Sequence, residues 1–138
     1  MTPDAGRKGR RRLLVVEDET LIGMLLEDML SDLGYEVVGT APTVRQAMDV
    51  LHGSELDAAI LDVNVNGEAI NPVAAILRDR GVPFMFASGY GERGVPAEFR
   101  GCPVLQKPFQ QEELENALAS LFAEEQGAGA AKPGVVER

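Results

Sequence analysis

The chain has 138 residues, of which 45% are apolar and 25% are charged, a composition typical of one globular domain. The formal net charge is −9, and because binding to nucleic acid relies on neutralised phosphates, this acidic balance argues against nucleic acid as a partner. A single cysteine, Cys102, excludes an internal disulfide, and no apolar run reaches the ~20 residues of a membrane-spanning helix. We therefore expect a cytoplasmic protein that binds neither nucleic acid nor membrane.

The two ends of the chain differ in composition from its centre. Residues 1–10 are polar and basic and predict a disordered head, although contact with RNA or an anionic surface remains the alternative. Residues 124–138 are rich in glycine and alanine and predict a flexible tail. The ordered domain should therefore span residues 11–123.

Short apolar runs alternate with segments of helical periodicity along this domain. In chain order, the pattern predicts strand 12–16, helix 20–33, strand 35–39, helix 44–53, strand 58–61, helix 72–80, strand 83–87, strand 104–105 and helix 110–122. Such alternation is typical of an α/β fold, with a parallel sheet covered by helices on both faces.

Capping residues and helix breakers refine the helix boundaries. Thr43 and Asn71 are candidate N-caps, and Pro72 suits the first position of the helix that follows Asn71. The stretch 89–101 is rich in glycine and contains Pro96. We therefore expect a short or irregular fourth helix in this stretch.

Polar residues follow four of the predicted strands. They are Glu17-Asp18-Glu19 after the first strand, Asp62 after the third, Ser88 after the fourth and Lys107 after the fifth. The carboxyl ends of parallel strands share one edge of the sheet, where α/β proteins bind their ligands. The sequence therefore predicts a functional site built from these residues.

The chemistry of these groups favours a metal and a phosphoryl group. Each pair of carboxylates at about 4 Å repels by about 4 kcal/mol when the effective dielectric constant is roughly 20. A cation must offset this repulsion, and Mg²⁺ prefers hard oxygen ligands and retains waters that a phosphate can replace. Asp62 could then act as a nucleophile beside Lys107, with Ser88 donating a hydrogen bond to the product.

Each of these residues also has an ordinary structural interpretation. Acidic residues often begin helices, Ser88-Gly89 is a common turn, and a lysine before proline is commonly exposed. Only the joint occurrence at four strand ends favours a functional site.

The sequence resembles the receiver domain of bacterial two-component response regulators over about residues 11–123. The resemblance rests on four runs, 13–19, 59–62, 86–90 and 106–109. The run Phe86-Ala87-Ser88-Gly89-Tyr90 is similar to that of a stand-alone subgroup of this family.

The resemblance implies a flavodoxin-like fold, a five-stranded parallel sheet in the order 2-1-3-4-5. It implies that Asp62 is the phosphoacceptor and, with Asp18 and the backbone carbonyl of Asn64, a ligand of Mg²⁺. Glu17 would reach the metal through water, and Lys107 would pair with the phosphoryl group. The Lys107-Pro108 peptide bond is expected to be cis.

The resemblance also implies a mechanism of signalling. Ser88 would be the switch hydroxyl, and we expect it to move with the Gly89-Tyr90-Gly91 backbone towards the phosphoryl oxygens. The alternative is that Tyr90 merely packs over this loop. Val104 stands where the family usually has an aromatic residue, which leaves the usual hydroxyl–aromatic coupling open.

The implied function is that of a signalling module and not of an enzyme. It would accept a phosphoryl group from a histidine kinase or a histidine phosphotransfer protein, and act by protein contact or phosphorelay. A pseudo-receiver that only binds a partner is one alternative. A phosphohydrolase with an aspartyl phosphate is another, but such enzymes have a second aspartate at the position of Asn64.

Overall fold

The computed structural model of the chain describes residues 10–131, apart from the side chains of Glu92 and of residues 124–131. The predicted basic head, except Arg10, and the last seven residues of the predicted tail lie outside the described residues. The strands are β1 (Arg12–Val16), β2 (Glu36–Ala41), β3 (Ala58–Asp62), β4 (Asn64–Val65), β5 (Glu68–Ala69), β6 (Phe84–Ser88) and β7 (Val104–Gln106). The helices are α1 (Thr20–Asp32), α2 (Val44–Gly53), α3 (Asn71–Asp79) and α4 (Gln111–Ala131), with 3₁₀ turns at Gly91–Gly94 and Ala97–Phe99.

Five strands form one parallel sheet in the order β2-β1-β3-β6-β7. The short strands β4 and β5 form a separate antiparallel hairpin. When only the five strands of the main sheet are numbered, β6 is the fourth and β7 the fifth, and the observed order is the predicted 2-1-3-4-5. β1 and β3 lie side by side, with Val16 opposite Leu61. The residues that follow these two strands therefore leave the sheet close together.

The core consists of two apolar layers, one on each face of the sheet. Side chains of β1 alternate between them, since Leu14 and Val16 pack with α2 and α3 while Leu13 and Val15 pack with α1 and α4. This is the two-sided burial expected of a central parallel strand. Among the described residues, no helix combines the length and the apolar character needed to cross a membrane.

Several predicted helix boundaries are confirmed. α1 begins at Thr20, and the Oγ1 of Thr43 accepts a hydrogen bond of 3.1 Å from the backbone N–H of Gln46 at the start of α2. Two short 3₁₀ turns replace the fourth helix of the fold, as the glycines and Pro96 predict.

Other boundaries were predicted wrongly. Asn71 is the first residue of α3 and not its N-cap, because the buried Ile70 precedes the helix and the Asn71 side chain instead donates a hydrogen bond to Glu98. Tyr35 precedes β2 and stacks on Phe122, with ring centroids 6.0 Å apart. α4 continues beyond Phe122 to Ala131, because its alanines favour helix, so the first part of the predicted tail is helical.

Candidate functional site

Three carboxylates meet at the carboxyl edge of the sheet. Glu17 and Asp18 follow β1, and Asp62 is the last residue of β3. One carboxylate oxygen of each lies within 4.8 Å of the others. The parallel pairing of β1 and β3 brings them together, as the pattern of strand ends predicts.

Lys107 places its ammonium between two of these carboxylates. Its Nζ donates hydrogen bonds to the Oε1 of Glu17 at 2.8 Å and to the Oδ2 of Asp62 at 3.3 Å. Lys107 follows β7, and the peptide bond to Pro108 is cis, as expected from the resemblance. The one described lysine is thus fixed beside the candidate nucleophile.

The ionisation of this pair reflects burial and mutual attraction. Glu17 is only 3% exposed, and burial raises its pKa although the hydrogen bond from Lys107 opposes the shift. Burial alone would lower the pKa of Lys107, but the hydrogen bond to Glu17 and the charge of Asp62 outweigh it, so its pKa is raised. Lys107 therefore carries its positive charge at neutral pH.

The donor set fits a small divalent cation. In their charged forms, the three carboxylates and the one ammonium would sum to a net charge of −2, which one divalent ion would neutralise. All the candidate ligand atoms are hard oxygens, which suit Mg²⁺. Glu17, Asp18 and Asp62 are the residues that would hold the ion, and the part of Asn64 stays a prediction.

Ser88 is buried under the glycine-rich loop at the end of β6. Its Oγ accepts a hydrogen bond of 3.0 Å from the backbone N–H of Tyr90. A Cβ at Gly94 would lie 2.4 Å from this Oγ, so only glycine allows the 3₁₀ turn to cover the hydroxyl this closely. The Tyr90 side chain is 76% exposed, so it does not pack over the loop.

Sequence reasoning missed a contact between the β4–β5 hairpin and Asp18. The backbone N–H of Asn66 donates a hydrogen bond of 2.8 Å to the Oδ2 of Asp18. The Asn66-Gly67 dipeptide is a strong hairpin signal and could have revealed the turn. The strands of the hairpin have only two residues each, which is too short to show the alternation of apolar and polar residues that marks a strand.

Sequence reasoning also missed an apolar surface on the first turns of α1. Leu21 is 80% exposed, and Met24 and Leu25 are also exposed. Leu25 further lines a shallow apolar groove with Pro108 and Phe109, next to Lys107. The helical periodicity of α1 does not distinguish these residues from the buried ones.

Comparison with known proteins places the chain among receiver domains. A family model for the response regulator receiver domain matches residues 13–119. The transcriptional regulatory protein PdtaR of Mycobacterium tuberculosis is 31% identical over 121 residues, which are 85% of this chain but only 59% of that protein.

Two solved structures are similar in both sequence and fold. SdrG from Sphingomonas melonis Fr1 is 46% identical, with a TM-score of 0.74, and the match covers 82% of this chain and 97% of that one. The receiver domain of the PhyR response regulator from Erythrobacter litoralis is 30% identical, with a TM-score of 0.76 and coverage of 86% and 94%.

Proposed function

The chain belongs to the response regulator receiver domain family, and we propose that it accepts a phosphoryl group on Asp62. The donor would be a histidine kinase or a histidine phosphotransfer protein. The phosphorylated chain would act as a single-domain cytoplasmic regulator, by contact with a downstream protein or by phosphorelay. The similarity to nearly the whole SdrG chain supports this assignment, as does the resemblance of the run 86–90 to that of a stand-alone subgroup.

One observation carries the proposal, namely that the Lys107 ammonium is hydrogen-bonded to the Asp62 carboxylate within an acidic cluster. An Asp62 oxygen would form a bond to phosphorus while the P–N bond to the donor histidine breaks. The electron pair of that bond returns to the imidazole. Lys107 would donate to a phosphoryl oxygen and stabilise the charge that develops there. Mg²⁺, when bound, would neutralise negative charge on the phosphoryl group and on the carboxylates.

The apolar surface of α1 supports a protein as the phosphoryl donor. Leu21, Met24 and Leu25 are exposed, and Leu25 lines the same apolar groove as Lys107. A cluster of exposed apolar side chains next to a reactive group is typical of a contact surface. A donor protein docked there would bring its phosphohistidine to the edge of the sheet that holds Asp62.

The buried hydroxyl of Ser88 supports a switch in the loop that follows β6. The hydroxyl oxygen accepts the Tyr90 N–H, and if Ser88 turned to donate its own O–H to a phosphoryl oxygen on Asp62, that oxygen would move away from the N–H. Reorientation of Ser88 would release this hydrogen bond and change the path of residues 89–94. Tyr90 is exposed and would report the change to a partner.

Intact-mass spectrometry with acetyl phosphate tests the chemistry directly, since the chain has no tryptophan to serve as a fluorescence probe. We expect one phosphoryl adduct on the wild type in the presence of Mg²⁺, and none on Asp62→Asn or in the presence of EDTA. A panel of histidine kinases extends the test to protein donors. Failure with every donor would favour the pseudo-receiver, and steady hydrolysis of phosphate esters would favour the phosphohydrolase.

A further inference from the structure

The loop after Asp62 is a tight hairpin with a defined turn. Asn66 and Gly67 have φ angles of 53° and 83°, both in the left-handed region, as in a type I′ turn. The Oδ1 of Asn64 accepts a hydrogen bond of 3.1 Å from the Gly67 N–H and closes the turn. Asn66 is the one residue other than glycine with a positive φ among the described residues.

Both ends of this hairpin are anchored in the core. Val65 and Ile70 are fully buried and belong to the apolar layer that includes α3. The Ile70 N–H donates to the carbonyl oxygen of Val63 at 3.2 Å, which closes the base of the hairpin. The turn is therefore fixed in position by buried residues on both sides.

The hairpin presents one backbone donor to the acidic cluster. The Asn66 N–H lies 2.8 Å from the Oδ2 of Asp18, although the two residues are 48 positions apart in the chain. Glu17 and Asp62 are paired with Lys107, whereas no contact between Lys107 and Asp18 is described. The Asn66 amide thus stabilises the member of the cluster that the lysine does not reach.

We propose that the β4–β5 hairpin is a positioning element for the metal site, in which the Asn66 amide orients Asp18 for Mg²⁺. The inference rests on the proposed function, because it concerns the same cluster. Without the amide, repulsion from the other two carboxylates would turn Asp18 outwards. Metal affinity therefore depends on the conformation of residues 66–67. Coupling is reciprocal, so Mg²⁺ binding also stabilises the hairpin.

Magnesium titration of hairpin variants tests this dependence, with dissociation constants taken from NMR shifts of backbone amides. Asn66→Val disfavours the positive φ, because a branched Cβ is strained there. We expect its Mg²⁺ affinity to fall by about tenfold or more, as for loss of one hydrogen bond to a charged group. Asn66→Gly keeps the amide and accepts the positive φ, and should retain the affinity. Ala69→Val puts the same side chain at an exposed strand position of the hairpin and is the matched control.

Hydrogen exchange of backbone amides provides a second readout. If the role of the hairpin were purely structural, Mg²⁺ would not alter the exchange rate of its amides. Mg²⁺ should slow exchange of the residue 66 amide in the wild type and in Ala69→Val, but not in Asn66→Val. If Asn66→Val does not fold, Asn64→Ala removes only the hydrogen bond to Gly67 and should give a smaller loss of affinity. If a variant with an opened turn kept its Mg²⁺ affinity, the inference about the hairpin would be overturned, but the proposed function would not. A wild type that binds no Mg²⁺ would overturn the inference and the metal-dependent function together.

Discussion

At the scale of single residues, the site depends on the positions of a few charged side chains and of one glycine. Lys107 neutralises part of an acidic cluster, and Gly94 leaves room for the Ser88 hydroxyl. Neither role follows from residue type alone. Each role follows from the atoms that the fold places within 4 Å of the residue.

Replacement of the lysine should separate phosphorylation from metal binding. We expect Lys107→Met to slow phosphorylation of Asp62 by acetyl phosphate about tenfold or more, since a preorganised donor to the transition state is lost. Its Mg²⁺ affinity should not fall, because the cluster becomes more negative. Time-resolved intact mass gives the rate, and Arg100→Met, an exposed cation before β7, is the control. Equal rates for Lys107→Met and the wild type would contradict the assigned role.

The contact between Gly94 and Ser88 can be tested by a double-mutant cycle. Gly94→Ala should lower the free energy of unfolding by about 1–3 kcal/mol, because the new Cβ would lie 2.4 Å from the Ser88 Oγ. In the Ser88→Ala background the cost should largely vanish, since the next contacts, at 3.4 and 3.5 Å, are ordinary. Urea denaturation measures both. Gly53→Ala, whose new Cβ would meet nothing within 4 Å, is the control and should not lower the free energy of unfolding. Equal costs of Gly94→Ala in the two backgrounds would refute the contact.

At the scale of elements, α1 has two different functions on its two faces. Leu26 and Leu30 pack in the core, while Leu21 and Met24 are exposed. The buried face positions the helix on β1, and the exposed face is free to contact another protein. Under the proposed function, α1 would therefore link the fold to the choice of phosphoryl donor.

A charge on this exposed face should impair only transfer from a protein donor. Leu21→Glu is expected to slow phosphotransfer from a histidine-phosphorylated donor by about tenfold, which corresponds to loss of roughly 1.4 kcal/mol of contact energy. Phosphorylation by acetyl phosphate should be unchanged. Ser120→Glu adds the same charge at an exposed position of α4 and should transfer normally. Equal slowing with acetyl phosphate would show that the change perturbs the site itself.

At the scale of the whole molecule, metal binding and stability are linked. An ion that binds the folded chain but not the unfolded one stabilises it by about 2.7 kcal/mol at 100 times its dissociation constant. We expect MgCl₂ to raise the Tm of the wild type above its value in NaCl of matched ionic strength. Asp18→Asn should greatly reduce this increase. The same increase in that variant would mean that the cation acts elsewhere.

Sequence patterns predicted the architecture and the members of the cluster for a simple reason. Parallel strands with buried faces must be apolar throughout, and their carboxyl ends must meet at one edge, so local runs such as Leu13–Val16 and Ala58–Leu61 already define the neighbourhood of Asp18 and Asp62. The irregular structure of residues 89–101, predicted as a short or irregular fourth helix, was also predictable, because glycine and proline act locally.

What the sequence by itself determined was therefore the strand–helix alternation, the parallel sheet and the four strand ends that carry polar groups. Only the tertiary structure decided that Lys107 bridges Glu17 and Asp62, that Asn66 reaches Asp18, and that Gly94 covers Ser88. The physical reason is range. Propensity and periodicity act over a few residues, whereas these contacts join segments that are distant in sequence or depend on turn geometry and on the packing of whole elements.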